Sequence, residues 1–167
     1  MRIYFARSIS GCHKEEVCKY YDYVNKRFTK LGLEVFTPAI ELDALRCDEA
    51  FRSHGYEGIP SSSNHAIVER DFWFVAQSDI VFVDFDASDY SKTHISIGCC
   101  MELAVAHWLR KHTIVVLSKE NIHNHAFALE CADIVFYTHK DAVEYLEKLV
   151  RSANPLKYKP DKYEKNN

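Results

Sequence analysis

Ser78-Asp79-Ile80-Val81-Phe82-Val83-Asp84 decides the fold. A half-buried strand alternates apolar and polar residues. A run that is apolar at every position is covered on both faces, as an interior parallel strand is. Before it, a helix is expected over 64–77, capped by Asn64 or a preceding serine. After it, residues 84–94 read as polar loop, a helix runs from about 98 to 111, and 114–117 repeat the buried apolar run. Towards the start of the chain, 3–6 read as a strand that ends at Arg7-Ser8-Ile9-Ser10-Gly11. Val17, Tyr21, Val24, Phe28 and Leu31 recur at helical spacing up to Gly32. A second strand over 33–36 stops before Pro38. Residues 38–63 read as a long loop with one helical turn near 41–47. Towards the other end, 118–131 hold a loop and a short helix, and 134–136 form the last strand. Thr138 with Asp141 caps a final helix to about 152.

Strands that alternate with helices give an α/β fold. The expectation is a single doubly wound five-stranded parallel sheet of flavodoxin-like order 2-1-3-4-5, with helices on both faces. One domain over 1–152 is followed by a polar tail over 153–167. Ligands of such sheets sit beyond the carboxyl ends of the strands, at the switch point. Here that means the loops over 7–11 and 84–98.

The net charge of -3 gives no basic excess for coating nucleic acid. No run approaches the ~20 apolar residues of a membrane span. The start of the chain reads as a strand and not as a signal peptide. Six cysteines without a C-x-x-C pair read as reduced thiols, and a cytoplasmic location is expected. His123 with His125, and His107 with His112, lack a carboxylate at ligand spacing, so no metal and no cofactor is expected. There is no G-x-S-x-G, Walker loop or G-x-G-x-x-G.

Ser96-Ile97-Gly98-Cys99-Cys100-Met101-Glu102-Leu103 carries the strongest chemical signal. Ser96 and Gly98 would open a helix with its N–H groups towards the cleft. Glu102 would lie about one turn inside, where the positive helix end favours the anion. The plainer reading is a surface glutamate on a helix capped by Ser96. Asp71 is a second candidate, its plainer reading a solvated residue or a partner of Arg70. Asp84 and Asp86 fall at the end of the central strand. Ser8, Ser10 and Gly11, helped by Arg7, could cradle a phosphate.

Taken together these blocks resemble the nucleoside 2-deoxyribosyltransferase superfamily, which includes the 2-deoxynucleoside 5′-phosphate N-hydrolases. The stretch from Ile3 to Gly11 resembles its I-Y-F-x-x-S-I-x-G block. Asp71 with Ser78-Asp79-Ile80-Val81-Phe82-Val83-Asp84 resembles its D-x6-7-A/S-D-h-h-h-h-D/E stretch, where h is apolar. Ser96-x-Gly98-x-x-Met101-Glu102-Leu103 is similar to its S-x-G-x-G-Y/M-E-L-G block. Two of that block's glycines are Cys100 and Ala104 here.

The resemblance implies that Glu102 attacks C1′ of a deoxyribose, and that a second base or water resolves the covalent intermediate. It implies that Asp71 positions the substrate or moves the proton. Tyr4, Ser8, Gly11 and Ser96 would line the sugar or phosphate site, with Arg7, Ile9 and Gly98 from the same blocks and Asp84 and Asp86 as further candidates. The expected ligand is a small-molecule deoxynucleoside or deoxynucleotide, with no nucleic acid and no membrane as partner. Transfer to a second base is preferred, with 5′-monophosphate N-glycosidase activity as the alternative. An NAD glycohydrolase or a non-catalytic nucleotide-binding domain is the rival from outside. A homodimer or higher homo-oligomer with sites near the subunit interface is expected. The loop over 121–125 and the tail over 158–163 are the segments that would reach across.

Overall fold

The structure, a computed structural model, describes residues 1–38, 50–52, 54–56 and 58–153. The helical turn expected near 41–47 and the tail from 154 onward lie outside the described residues. The elements in chain order are β1 (Arg2–Arg7), α1 (Lys14–Thr29), β2 (Glu34–Phe36), α2 (Asn64–Gln77), β3 (Ile80–Asp84), α3 (Asp89–Thr93), α4 (Ile97–Trp108), β4 (His112–Val116), α5 (Ala126–Glu130), β5 (Ile134–Phe136) and α6 (His139–Ala153). The five strands pair in parallel in the order β2-β1-β3-β4-β5. That is the doubly wound order the apolar runs predict.

Both faces of β3 are covered, which is why its sequence never alternates. Phe82 joins Ile3, Phe5, Ile114 and Val116 on the face packed by α1 and α6. Val81 and Val83 join Tyr4, Ala6 and Val115 on the other face, under α2 and α4. Successive side chains of a strand point to opposite faces, so the run fills two cores at once. Phe82 lies 5.1 Å, centroid to centroid, from Phe5, which in turn lies 5.0 Å from Phe28 of α1.

Local signals set the element ends. After α1, Gly32 takes φ +81 and donates to the Thr29 carbonyl, while Leu33 donates to that of Phe28. This closes the helix with the left-handed residue that glycine supplies cheaply. Ser63, the residue before Asn64, accepts the Ala66 N–H and caps α2. The Asn64 side chain turns back instead to the Gly55 amide. Thr138 accepts the Asp141 N–H at the start of α6.

The segment after β3 differs from expectation. Residues 84–94 are not all loop, because Ser88 and Ser91 cap each other's backbone amides and start α3. This reciprocal pair does the work of a capping box with serine in the usual Glu/Gln position. The helix is five residues long, too short for an apolar period to reveal it.

Truncation of Phe82, which no solvent reaches, tests this core. Phe82→Ala should lower the unfolding free energy by about 3–5 kcal/mol, read as a drop in the urea midpoint at unchanged slope. A loss below ~1 kcal/mol would mean that the ring is not packed as described.

Candidate active site

The carboxyl end of β1 and the first turns of α4 face each other across the switch point between β1 and β3. Tyr4 lies on the face of β1 that α2 and α4 cover. Its hydroxyl donates to Oε1 of Glu102 at 2.8 Å. Glu102 is 6% exposed, because it shares the inward face of α4 with Cys99, Leu103 and Ala106. It is therefore not a surface helix glutamate.

Glu102 also departs from the expectation that it is ionised. Burial pushes its carboxyl up to about 8, and the nearby Asp71 charge adds to the rise. The Tyr4 hydrogen bond and the Arg70 charge pull the other way and do not win. The helix end fails to hold the anion for a geometric reason. Glu102 is the sixth residue of α4, whose first is Ile97, and the field of a helix end fades within the first turn. Desolvation of a buried carboxylate has no such limit.

Asp71 lies on the buried side of α2, 7% exposed. Burial raises its carboxyl to about 6, opposed by the charge and hydrogen bond of Arg70. Arg70 Nε donates to Asp71 Oδ1 at 3.0 Å. The same guanidinium reaches the carbonyls of Ser61 at 3.4 Å and Pro38 at 3.3 Å, so it ties the chain after β2 and the turn before α2 to the acid. Both carboxyls are thus raised above the ordinary range, Glu102 the further of the two. Phe74 continues the wall, stacked on Tyr4 at 6.4 Å and on Phe36 at 4.9 Å.

The other expected residues fall into two groups. Ser8, Ile9 and Gly11 form the loop after β1, and Ser96 and Gly98 the entry to α4. Gly11 takes φ +79, and a Cβ there would lie 2.6 Å from the Tyr90 ring. Its N–H donates to Phe51 O at 2.8 Å, so that amide is engaged within the chain. A Cβ on Gly98 would meet nothing within 4 Å, which leaves open space beside the start of α4.

Arg7, Asp84 and Asp86 are instead engaged by the scaffold. Arg7 is 3% exposed, donates to Glu16 at 2.7 Å and to Ser8 O at 3.1 Å, and lies 4.9 Å over the Tyr20 ring. These contacts anchor the loop after β1 to α1. Asp84 accepts from Asp86 N at 3.0 Å and Tyr20 OH at 3.3 Å, and lies 2.7 Å from His139 Nδ1. It thereby joins β3 to α1 and α6. Asp86 accepts from Ser118 N at 2.8 Å, Ser118 Oγ at 3.0 Å and Asn121 Nδ2 at 2.6 Å.

Asn121 and His123 do not extend away from the fold. Asn121 Oδ1 accepts from the His123 amide and lies 2.8 Å from His123 Nδ1. His123 Nε2 accepts the Ser96 N–H at 2.8 Å. Ser96 occupies the cap position of α4, but its side chain makes no cap bond. The loop after β4 therefore fixes the entry to the helix that carries Glu102. Burial lowers the His123 pKa, against the pull of Asp86, and so favours the neutral ring this acceptor role needs. The sequence showed two histidines in a loop without this connection. Among the described residues no group of three His, Cys, Asp or Glu side chains is placed to hold a metal.

The raised carboxyl predicts a stability effect of defined sign. The folded state keeps a proton on Glu102 that the unfolded chain releases near its ordinary value. That stabilisation is full below the ordinary value and lost as pH rises through about 8. Glu102→Gln keeps an acceptor for Tyr4 and stays neutral. Its Tm minus that of the wild type should grow between about pH 5 and about pH 9. An equal difference at both would mean that Glu102 titrates as an exposed glutamate does.

No family model matches this chain, and no curated protein does. Solved structures share its fold. One is the 2-deoxyribosyltransferase of the psychrotolerant bacterium Bacillus psychrosaccharolyticus, 18% identical, TM-score 0.58, over 90% of this chain and 96% of that one. A conserved protein from Enterococcus faecalis V583 is 14% identical, TM-score 0.50, over 92% and 98%. The CMP N-glycosidase BcmB of Clostridium botulinum is 17% identical, TM-score 0.48, over 89% and 97%. At these identities the likeness is one of fold: this chain is built as a known 2-deoxyribosyltransferase is, across nearly the whole length of both.

Proposed function

We propose that the protein cleaves the N-glycosidic bond of 2′-deoxynucleosides or their 5′-monophosphates through a deoxyribosyl ester on Glu102, and passes the sugar to another base. The observation that carries the reading is the buried Glu102 carboxyl, held by Tyr4 beside Asp71 at the switch point. The motif resemblance and the fold shared with a 2-deoxyribosyltransferase support it.

The chemistry needs an anionic nucleophile on one side of C1′ and a proton for the leaving base, as in retaining glycosidases. The Asp71–Glu102 pair supplies both from one proton. Its movement from Glu102 to Asp71 leaves a carboxylate at Glu102 and an acid at Asp71. The carboxylate oxygen then bonds to C1′ while the C1′–N bond breaks. The bond's electron pair stays on the base nitrogen, and Asp71 protonates the base. The second half reverses these steps, with the nitrogen of a new base attacking C1′ and its proton returning to Asp71. Tyr4 steadies the carboxylate oxygen that is not attacking. The loop over 8–11 and the entry at Ser96 and Gly98 line the sugar side in this reading.

Self-association belongs to the same reading. Ile97, Met101, Ala104 and Trp108 form one outward stripe of α4 at spacings of four, three and four residues. The three large ones are 73%, 50% and 83% exposed. Such a contiguous apolar face marks an interaction surface. A second copy seated there would lie on the helix whose inner side carries Glu102.

Two measurements test the proposal. Incubation with a deoxynucleoside and a different free base should yield the exchanged deoxynucleoside, and Glu102→Ala should reduce its formation at least about 1000-fold. Undiminished turnover by the variant would remove Glu102 from the mechanism. Sedimentation velocity should show an oligomer for the wild type and a shift to monomer for Met101→Asp combined with Trp108→Glu. A monomeric wild type would refute the shared interface.

A further inference from the structure

Among the buried side chains one polar atom is left without a hydrogen-bond partner among the described residues: the hydroxyl of Tyr21. Tyr21 is 3% exposed and lies on the inward face of α1 with Val17, Val24 and Phe28. A phenylalanine would fill an apolar position there without stranding a donor. A buried hydroxyl that makes no bond gives up its hydration for nothing, and in a folded protein such a group calls for a reason.

Its position supplies one. The Tyr21 ring meets Tyr20 edge-on at 5.4 Å. The Tyr20 hydroxyl reaches Asp84 at 3.3 Å, and the Arg7 guanidinium lies over the Tyr20 ring. Arg7 and Asp84 are partners in register, at the carboxyl ends of β1 and β3. Tyr21 therefore stands beside the switch point, reached from α1, while Glu102 and Asp71 reach it from α4 and α2. Its electrostatic surroundings agree. Burial is the main cause that raises its pKa, and the next causes are Cys99 and Glu102, with Asp71 also contributing. All three belong to the helices on the other face of the sheet.

We propose that Tyr21 is a further substrate-contacting residue, whose orphan hydroxyl is completed by an oxygen of the bound ligand's sugar. This rests on the deoxyribosyl reading of the site and deepens it. Tyr4 and Tyr21 then divide the work: one phenol holds the nucleophile, and the other holds the sugar it attacks. Among the described residues this donor has no partner, and an oxygen of the sugar would supply one. Buried phenols free to donate discriminate strongly in favour of a ligand that offers an acceptor.

Tyr21→Phe removes the oxygen alone, and the test compares it with the wild type in two measurements. In thermal unfolding without ligand, the variant should keep or raise Tm, since it loses a hydroxyl that bonds to nothing. In deoxyribosyl exchange, its kcat/KM should fall about tenfold or more, with KM carrying a share of the loss. An unchanged kcat/KM in an active enzyme would overturn the contact and leave the deoxyribosyl reading standing. A lowered Tm would also overturn it, because the hydroxyl would then have a partner within the protein. A wild type inactive on every deoxynucleoside and 5′-monophosphate would remove the deoxyribosyl reading, and this proposal with it.

Discussion

A phenol on the first strand reaches a carboxyl on the fourth helix at 2.8 Å, inside a core that otherwise excludes water. That contact constrains much around it. A carboxyl so buried needs a partner, and Tyr4 can be that partner only because β1 lies beside β3 at the centre of the sheet. Asp71, brought in by α2 and clasped by Arg70, adds a second charge that the low-dielectric surroundings do not screen away. The two acids are pushed to different values, about 6 and about 8, by different mixtures of burial and neighbouring charge. The order is the reverse of the roles the proposed exchange gives the two groups, so a proton has to pass from Glu102 to Asp71 before attack.

The fold was legible because its decisive elements carry strong periodic signals. The apolar run of β3 and the helical spacing of Val17, Tyr21, Val24 and Phe28 each admit one reading, and the strand order followed from alternation with helices. The short α3 was not legible, since mutual capping by two serines leaves no pattern in hydrophobicity. Motif spacing picked out Glu102 and Asp71 as candidates, but it carried no information about burial. The helix-end argument therefore gave the wrong charge for Glu102. Tyr21 was visible only as a core position of α1, because a chain read in one dimension does not reveal where the tip of a ring ends.

The loop residues show the same limit from the other side. Arg7, Asp84 and Asp86 stand where a doubly wound sheet keeps its ligand-facing groups, and each is drawn into the chain's own contacts. Arg7 turns to Glu16 and the Tyr20 ring, so the carboxyl end of β1 is fastened to α1. Asp84 fastens β3 to α1 and α6. A site that holds two acids at fixed positions, on helices packed over the central strands, needs such fastening around it. Charged residues at strand ends serve that need as readily as they serve a ligand.

One clasp has a consequence of its own. His123 receives the Ser96 amide at Nε2 and faces the Asn121 side-chain oxygen Oδ1 with Nδ1, which admits a single tautomer of the neutral ring. A second proton would set an N–H against the Ser96 N–H. The depressed pKa of the imidazole means that this proton is resisted, and that the clasp fails only as acidity overcomes burial. The turn after β4 is therefore a place where acid would loosen the mouth of α4, through a ring that lies outside the helix it holds.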